Sequence, residues 1–355
     1  MAPVRVLFCL IIITLYFRSG NAGNSTQSYH SIQFHHFYPS LAGQIEGILR
    51  DGRCNATLAR YYNTSSHFDS CRECRPQASI NCILDHFDSV TKANIASAAV
   101  ILGLLPATLS SIGLSYVETG ILALRRPGLA FLLAIGSPSV SPIKTFDYRG
   151  PSEILRKDDM AMRMARLGQP VQTAVFLLEY LLAIGATVNI GVVTWQLCVR
   201  TFCSFATDTW YMPSLWPLTA IAIHVGAALA VFLRVRFERQ KPQGHKSWTL
   251  FDVLRNQWIP YRDQPEMILK RQAETMWFIM LSWVLSTGTV LHIVLGTLVF
   301  SSLLPISTSD AVQVAARYVA SAVVCRAVLQ YELACMRQDT EVEDESRSKS
   351  NVNRV

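Results

Sequence analysis

Five long apolar stretches dominate this chain of 355 residues. They cover residues 93–115, 171–195, 215–234, 276–304 and 312–335. A helix rises 1.5 Å per residue, so about 20 apolar residues cross the hydrocarbon core of a bilayer, and each stretch reaches that length. The chain is 50% hydrophobic and only 16% charged, which is too apolar for an ordinary soluble domain. The sequence therefore predicts an all-α membrane protein with about five transmembrane helices.

Basic residues are divided unevenly between the segments that connect these stretches. Segments 118–170 and 235–273 carry eight lysines and arginines each, whereas the alternate loops, 196–213 and 305–311, share only Arg200. Because positive charge collects on the cytoplasmic side, this bias predicts an N-terminus outside and a cytoplasmic C-terminus. Basic residues at the cytoplasmic edges of the membrane account for the net charge of +7. No nucleic-acid motif accompanies that charge, so the expected partner is the lipid bilayer rather than a nucleic acid.

Residues 1–22 have the pattern of a signal peptide. Arg5 provides the positive start, residues 6–17 are apolar, and Gly20 and Ala22 are small residues at a cleavage site. The alternative is an uncleaved anchor, but an apolar run of twelve residues that ends at Arg18 is short for a span. Residues 23–91 are therefore predicted to form a small cap in the lumen or outside the cell.

The cap contains features of the secretory pathway. Three glycosylation triplets begin at Asn24, Asn55 and Asn63. In an oxidising compartment four cysteines predict two disulfides, with three pairings open, among Cys54, Cys71, Cys74 and Cys82. A zinc site at Cys71 and Cys74 is the alternative, but no second ligand pair follows. In the second lumenal loop Cys198 and Cys203 are close enough for a local disulfide. We expect no bound metal and no cofactor.

The membrane domain, residues 92–337, also holds a short apolar segment at 127–142. It has only sixteen residues, and Pro127, Pro138 and Pro142 interrupt it. A crossing here would invert every later loop against the charge bias, so a re-entrant or interfacial segment is predicted. Residues 338–355 mix charges with serines and are predicted to be a disordered cytoplasmic tail.

Local patterns add further predictions about helices. Residues 40–50 and 79–91 are predicted to be helical, the second continuing into the first span. A helix that leads into the fourth span is predicted to begin near Asp263. Small residues recur every four positions in the first span and predict a packing face made of Ala99, Gly103, Ala107, Ser111 and Ser115.

Polar residues inside the spans are the candidate site residues, because burying them in hydrocarbon costs free energy. Glu179 and Arg326 lie at similar depth, which suggests a buried ion pair, either structural or part of a transport relay. Arg317 and Arg326 are nine residues apart on opposite helix faces, so the fifth span is expected to have neighbours on two sides. The outer half of the membrane holds Asn189, His224, His292 and Arg317. They either line one polar cavity or satisfy one another and the backbone.

Residues 92–142 and 317–327 carry a family resemblance. Gly103-Leu104-Leu105-Pro106, Glu118-Thr119-Gly120, Leu124-Arg125-Arg126-Pro127 and Gly136-Ser137-Pro138, with Arg317-Tyr318 and Cys325-Arg326-Ala327, resemble a group of uncharacterised multi-pass proteins of filamentous fungi. The resemblance implies a fungal membrane protein with a signal peptide and brings no activity or catalytic residues.

The expected role is non-catalytic. No histidine boxes, spaced carboxylates, nucleophile motif or phosphate-binding loop occur. We expect an adaptor, sensor or assembly component, bound to another membrane protein or to itself, in the secretory pathway and most simply the plasma membrane. The alternative is a transporter or channel component with a polar pathway in the bundle, accessory to fungal secondary metabolism.

Overall fold

The computed structural model describes residues 33–62, 74–142, 169–207, 209–239, 267–271 and 275–342. Several sequence predictions lie outside these ranges: the signal peptide, Asn24, Asn63 and Cys71. The side chain of Cys74 and residues 343–355 of the tail also lie outside the described part.

The described chain is mostly helical, with ten helices and five short strands. The helices are α1 Pro39–Arg50, α2 Asn55–Tyr62, α3 Cys74–Asp85, α4 Ser89–Ile112, α5 Tyr116–Arg125, α6 Pro127–Gly136, α7 Gln169–Arg200, α8 Met212–Arg234, α9 Met276–Ser301 and α10 Thr308–Asp339. The strands are β1 Phe202–Cys203, β2 Val235–Arg239, β3 Met267–Arg271, β4 Leu303–Leu304 and β5 Thr340–Val342. Five helices, α4, α7, α8, α9 and α10, are long and apolar enough to cross a membrane. They correspond to the five predicted spans.

Helix α4 packs through large apolar residues together with some of its small ones. Its buried face includes Ile95, Leu102 and Leu109, at helical spacing. Of the predicted small-residue face, Gly103 and Ser115 are buried and Ala99 is half-buried, whereas Ala107 and Ser111 are exposed, so that prediction is wrong at two of its five positions. Only Gly103 makes a close approach, because a Cβ there would lie 2.9 Å from the Cβ of Ser301. Burying large side chains removes more apolar surface, which explains the choice of face.

Helices α5 and α6 form a hairpin inside the bundle. The chain is extended at both ends of the hairpin, and Leu114 pairs in parallel with Val140. The N–H of Ser141 donates to the carbonyl of Leu114 at 3.0 Å. The two ends therefore lie side by side and the tip is Arg126, where α6 begins with a proline at its first position. Hairpin residues such as Ile121 and Leu133 share one core with α7 and α10.

The N-terminal helices α1 to α3 fold onto one end of the bundle, which we call the cap end. A disulfide joins Cys54, just before α2, to Cys82 in α3. Strands β1 and β4, which follow α7 and α9, pair antiparallel beneath these helices. Phe34 of the cap packs against Phe202 of β1 with ring centroids 4.3 Å apart. The cap core and the bundle loops are thus one packed unit.

The opposite end of the bundle, the far end, carries a small sheet in the order β2–β3–β5. Strand β3 occupies Met267–Arg271, so the helix predicted from Asp263 into the fourth span is wrong at those residues. Helix α10 continues to Asp339, and β5 pairs in parallel with β3. The predicted disorder of the tail is therefore wrong for its first five residues, because backbone pairing with β3 orders Thr340–Val342.

Candidate functional site

Arg126, at the hairpin tip, is the centre of a buried ionic cluster. Its Nη1 donates to Glu179 Oε2 at 3.2 Å and to Glu332 Oε1. The guanidinium also lies 5.2 Å from the ring centroid of Phe176. The three charged residues, here named the Arg126 triad, are 1%, 5% and 2% exposed. Charges buried to this degree are retained only when they are paired.

The triad joins three elements that are far apart in sequence. Glu179 lies on α7, Glu332 lies on α10, and the hairpin tip inserts Arg126 between them. Three of its polar atoms are buried without a hydrogen-bond partner in the described part of the chain: Arg126 Nε, Glu179 Oε1 and Glu332 Oε2. The direct contacts therefore leave donor and acceptor capacity unused inside the protein.

The predicted pairing of Glu179 with Arg326 is wrong. Arg326 donates from Nη1 to Glu118 Oε2, on α5, while Glu179 binds Arg126. Arg326 and Glu332 are six residues apart on α10, about 120° around the helix, so they face different neighbours. Equal depth did not determine the partner, because the rotation of each helix decides which side chains meet.

Arg317 forms a separate polar network towards the cap end. Its Nε donates to Asn189 Oδ1 at 2.8 Å, and its Nη1 donates to Gln196 Oε1 at 3.0 Å. The Asn189 amide nitrogen in turn donates to Ser321 Oγ at 2.8 Å. Arg317 thus contacts α7 and Arg326 contacts α5, so α10 does have neighbours on two sides, as the spacing predicts.

The two buried histidines lie at helix contacts. His224 Nδ1 is 2.8 Å from Thr119 Oγ1, which ties α8 to the hairpin. His292 Nε2 is 3.1 Å from the Pro138 carbonyl, and its ring stacks on Trp216 with centroids 5.3 Å apart. Neither histidine shares a described contact with Asn189 or Arg317. The histidines and the Asn189–Arg317 network therefore form separate contacts, and His224 Nε2 is buried without a hydrogen-bond partner among the described residues.

The described cysteines of the bundle are free thiols. Cys198 and Cys203 are both buried and are not joined, in contrast to the predicted local disulfide. Pairing of β1 with β4 places Cys203 Sγ 2.9 Å from Ser302 Oγ instead. Burial raises the pKa of the Cys203 thiol, which disfavours the reactive thiolate form.

The described part of the cap contains one of the predicted disulfides and one of the glycosylation residues. Cys54 pairs with Cys82, a bond that belongs to one of the three pairings that the sequence leaves open. His86 lies within 4.8 Å of both sulfurs, but sulfurs bonded to each other are not thiolate ligands. Asn55, the middle glycosylation residue, is exposed at the start of α2.

Sequence reasoning missed three members of the ionic clusters. Glu332 sits inside a predicted span, so its position was a signal that could have been used. Arg126 and Glu118 were counted among the residues of a cytoplasmic connection, because the hairpin is too short to read as part of the bundle. Their burial depends on contacts between elements that the sequence separates.

Comparison with known proteins gives no match: no family model, no curated protein and no solved structure is similar to this chain.

Proposed function

We propose that this chain is an integral membrane protein of the secretory pathway that acts without catalysis, as an adaptor, sensor or assembly component. Its N-terminal cap lies outside and its C-terminus in the cytoplasm. The observation that carries the proposal is the continuous packing between the cap and the ends of the long helices. A partner that binds such a cap acts directly on the bundle.

Three contacts support this coupling. Phe34 and Phe202 belong to one core cluster with the cap helices. Asn94 Oδ1 accepts from the N–H of Thr308 at 2.9 Å, so α4 holds the start of α10. Ser40 Oγ is 2.9 Å from Ser309 Oγ, which links α1 to the same helix start. Movement of the cap therefore displaces the ends of several spans together.

In this arrangement α4 and α5 together make one broken span, and α6 is a re-entrant helix. Backbone outside helices is tolerated at membrane depth only where protein or water covers it. The extended residues beside Leu114 and Val140 meet that condition, because both side chains are fully buried. The basic connections then remain on the cytoplasmic side, as the charge bias requires.

Purification of the tagged protein from native membranes in mild detergent, followed by mass spectrometry, tests the role. We expect a stoichiometric membrane-protein partner or a second copy of the chain. Phe202→Ala, which loosens the cap, is expected to lose that partner, whereas Phe205→Ala, in the same loop but 49% exposed, retains it. A monomer that carries a defined small molecule and no protein contradicts the adaptor proposal.

A transporter or channel component is the second candidate, and the broken span favours it. Discontinuous helices that meet inside a bundle often form substrate and ion sites in transporters. Thr289→Cys, at a fully buried position near His292, provides the test in a background without the four free cysteines of the described residues. Labelling by a membrane-impermeant thiol reagent indicates a water-filled pathway, and an inert thiol indicates a packed core. Exposed Ser204→Cys is the positive control.

A further inference from the structure

The Arg126 triad sets two carboxylates against one guanidinium. Glu179 and Glu332 accept from the same nitrogen, Arg126 Nη1, so the two carboxyl groups are close neighbours. Both are at least nine-tenths buried. If both were ionised, the three side chains would carry one excess negative charge, which is unfavourable in a buried site.

Among the described residues, Arg126 is the one cation that forms an ion pair with Glu179 or Glu332. Tyr180 faces the triad from α7, and Tyr331 and Cys335 face it from α10. On the hairpin, Arg125 is buried and precedes Arg126, and the cation of Arg326 on α10 is engaged by Glu118 of α5. Tyrosine and cysteine are neutral when protonated, so they leave the excess carboxylate uncompensated.

We propose that the Arg126 triad is a proton-binding site, in which Glu179 and Glu332 share one proton at neutral pH. One carboxylate oxygen takes the proton from hydronium in the solvent: a carboxyl O–H bond forms, an O–H bond of hydronium breaks, and water is left. The group becomes an O–H donor while the other carboxylate stays paired with Arg126. Like charges that share a site retain a proton in this way.

The unpartnered atoms agree with this ligand. Glu179 Oε1 and Glu332 Oε2 are buried acceptors without a donor, and a carboxyl proton supplies one. A metal cation fits less well, because the Arg126 guanidinium already occupies the space between the carboxylates and repels positive charge. The proposal does not depend on the function proposed above, since an adaptor and a transporter could equally hold the proton.

Loss of the proton would change how the hairpin is held. Two ionised carboxylates on one guanidinium repel each other, which weakens the contact of α7 and α10 with the hairpin tip. The hairpin also binds α8 through Thr119 and His224. Proton release at the far end would therefore alter packing at the contact between α5 and α8.

Infrared difference spectroscopy on the purified full-length protein in lipid nanodiscs tests the proposal through the carboxylic acid C=O stretch. At neutral pH the wild type is expected to show one protonated buried carboxyl, identified by its shift in heavy water. Glu179→Gln and Glu332→Gln should each abolish that band, because the remaining carboxylate pairs alone with Arg126. Glu46→Gln, at an exposed position of the cap, should leave it unchanged.

The melting temperature of each variant in the same nanodiscs is a second measurement, which shows whether the variant is folded. Each single variant preserves a neutral pair with Arg126, so its melting temperature should stay close to the wild-type value. A wild type without the band, or a band that survives in both variants, overturns the proposal. A melting temperature that rises with sodium chloride but not with choline chloride, again without the band, assigns the site to a metal cation instead and also overturns it.

Discussion

At the scale of single residues, Arg126 is the position on which the far-end ionic cluster depends. Removing one partner of a buried ion pair leaves an uncompensated charge and costs about 3–5 kcal/mol. Arg126→Met leaves two buried carboxylates and should destabilise the protein by about that amount, measured as a loss of melting temperature and membrane yield. Arg53→Met is the control, since Arg53 and its partner Asp51 are 56% and 58% exposed and their pair is worth about 0–1 kcal/mol. Equal effects of the two changes would contradict the assigned role.

Charge exchange tests the assignment of partners. Glu118→Arg combined with Arg326→Glu keeps opposite charges in contact, so the double variant should recover most of the yield that each single change loses. The exchange of Glu179 with Arg326 should not recover yield, because those residues have different partners. Recovery in the second pair and not in the first would show that the helices are rotated differently.

A glycine contact offers a test with a matched control in another span. A Cβ on Gly296 would lie 2.8 Å from the Pro106 Cβ and would also meet the Trp216 indole nitrogen. Gly296→Ala should therefore lower stability by about 1–3 kcal/mol through overpacking. Gly185→Ala, with nothing within 4 Å of its Cβ, should be neutral or slightly stabilising. Thermal unfolding in detergent measures both, and a harmless Gly296→Ala would mean that α4 and α9 are further apart.

At the scale of elements, the start of α4 has a defined cap. Asp88 Oδ1 accepts from the Thr91 N–H at 3.1 Å, and hydrogen bonds from the Thr91 side chain and from this N–H lower the pKa of Asp88 below its usual value. A lowered pKa adds stability above the ordinary value of 3.8, and this stability is lost as the pH falls through the folded-state value. Asp88→Ala should reduce stability at pH 7 and make it less sensitive to acid below pH ~4. Asp88→Asn keeps a capping oxygen, so its stability at pH 7 should lie between those of the wild type and Asp88→Ala. A loss of stability in acid by Asp88→Ala equal to that of the wild type would contradict the assigned cap.

The elements also show what a sequence can and cannot specify. The five spans follow from apolar length alone, and observed α9 begins at residue 276 as predicted. The break between α4 and α5 was not predicted, because Gly113-Leu114-Ser115 contains no proline and reads as continuous with the span. Strand β3 depends on pairing with β2, which lies about 30 residues earlier, and no local pattern reports such a partner. Glu179, Arg317 and Arg326 were identified because they lie inside predicted spans, whereas Glu332 was missed in the fifth span, and the partners of all four depend on helix rotation.

At the scale of the whole molecule, one disulfide limits how far the cap can unfold. The cysteines are separated by 28 residues, and closing a loop of that length stabilises a folded domain by about 3–4 kcal/mol in the chain-entropy model. Cys54→Ser combined with Cys82→Ser should expose the cap to limited proteolysis while the bundle remains resistant. Cleavage of cap and bundle at equal rates would show that they unfold as a single cooperative unit.

Glycosylation tests the orientation of the whole chain, because glycans are added only on the lumenal side. Asn55 is exposed at the beginning of α2, next to the disulfide that joins the cap, so a glycan can attach without disturbing the core. Enzymatic removal of N-glycans should lower the apparent mass of the wild type. In Asn55→Gln this decrease in mass should be smaller by the contribution of one glycan. The variant lacking Asn24, Asn55 and Asn63 together should show no shift. In intact cells, added protease should cleave a C-terminal tag only after the membrane has been permeabilised, because the tag is expected in the cytoplasm. An unglycosylated wild type with a tag accessible from outside would reverse the topology, and the basic connections would then lie on the side that the charge bias excludes.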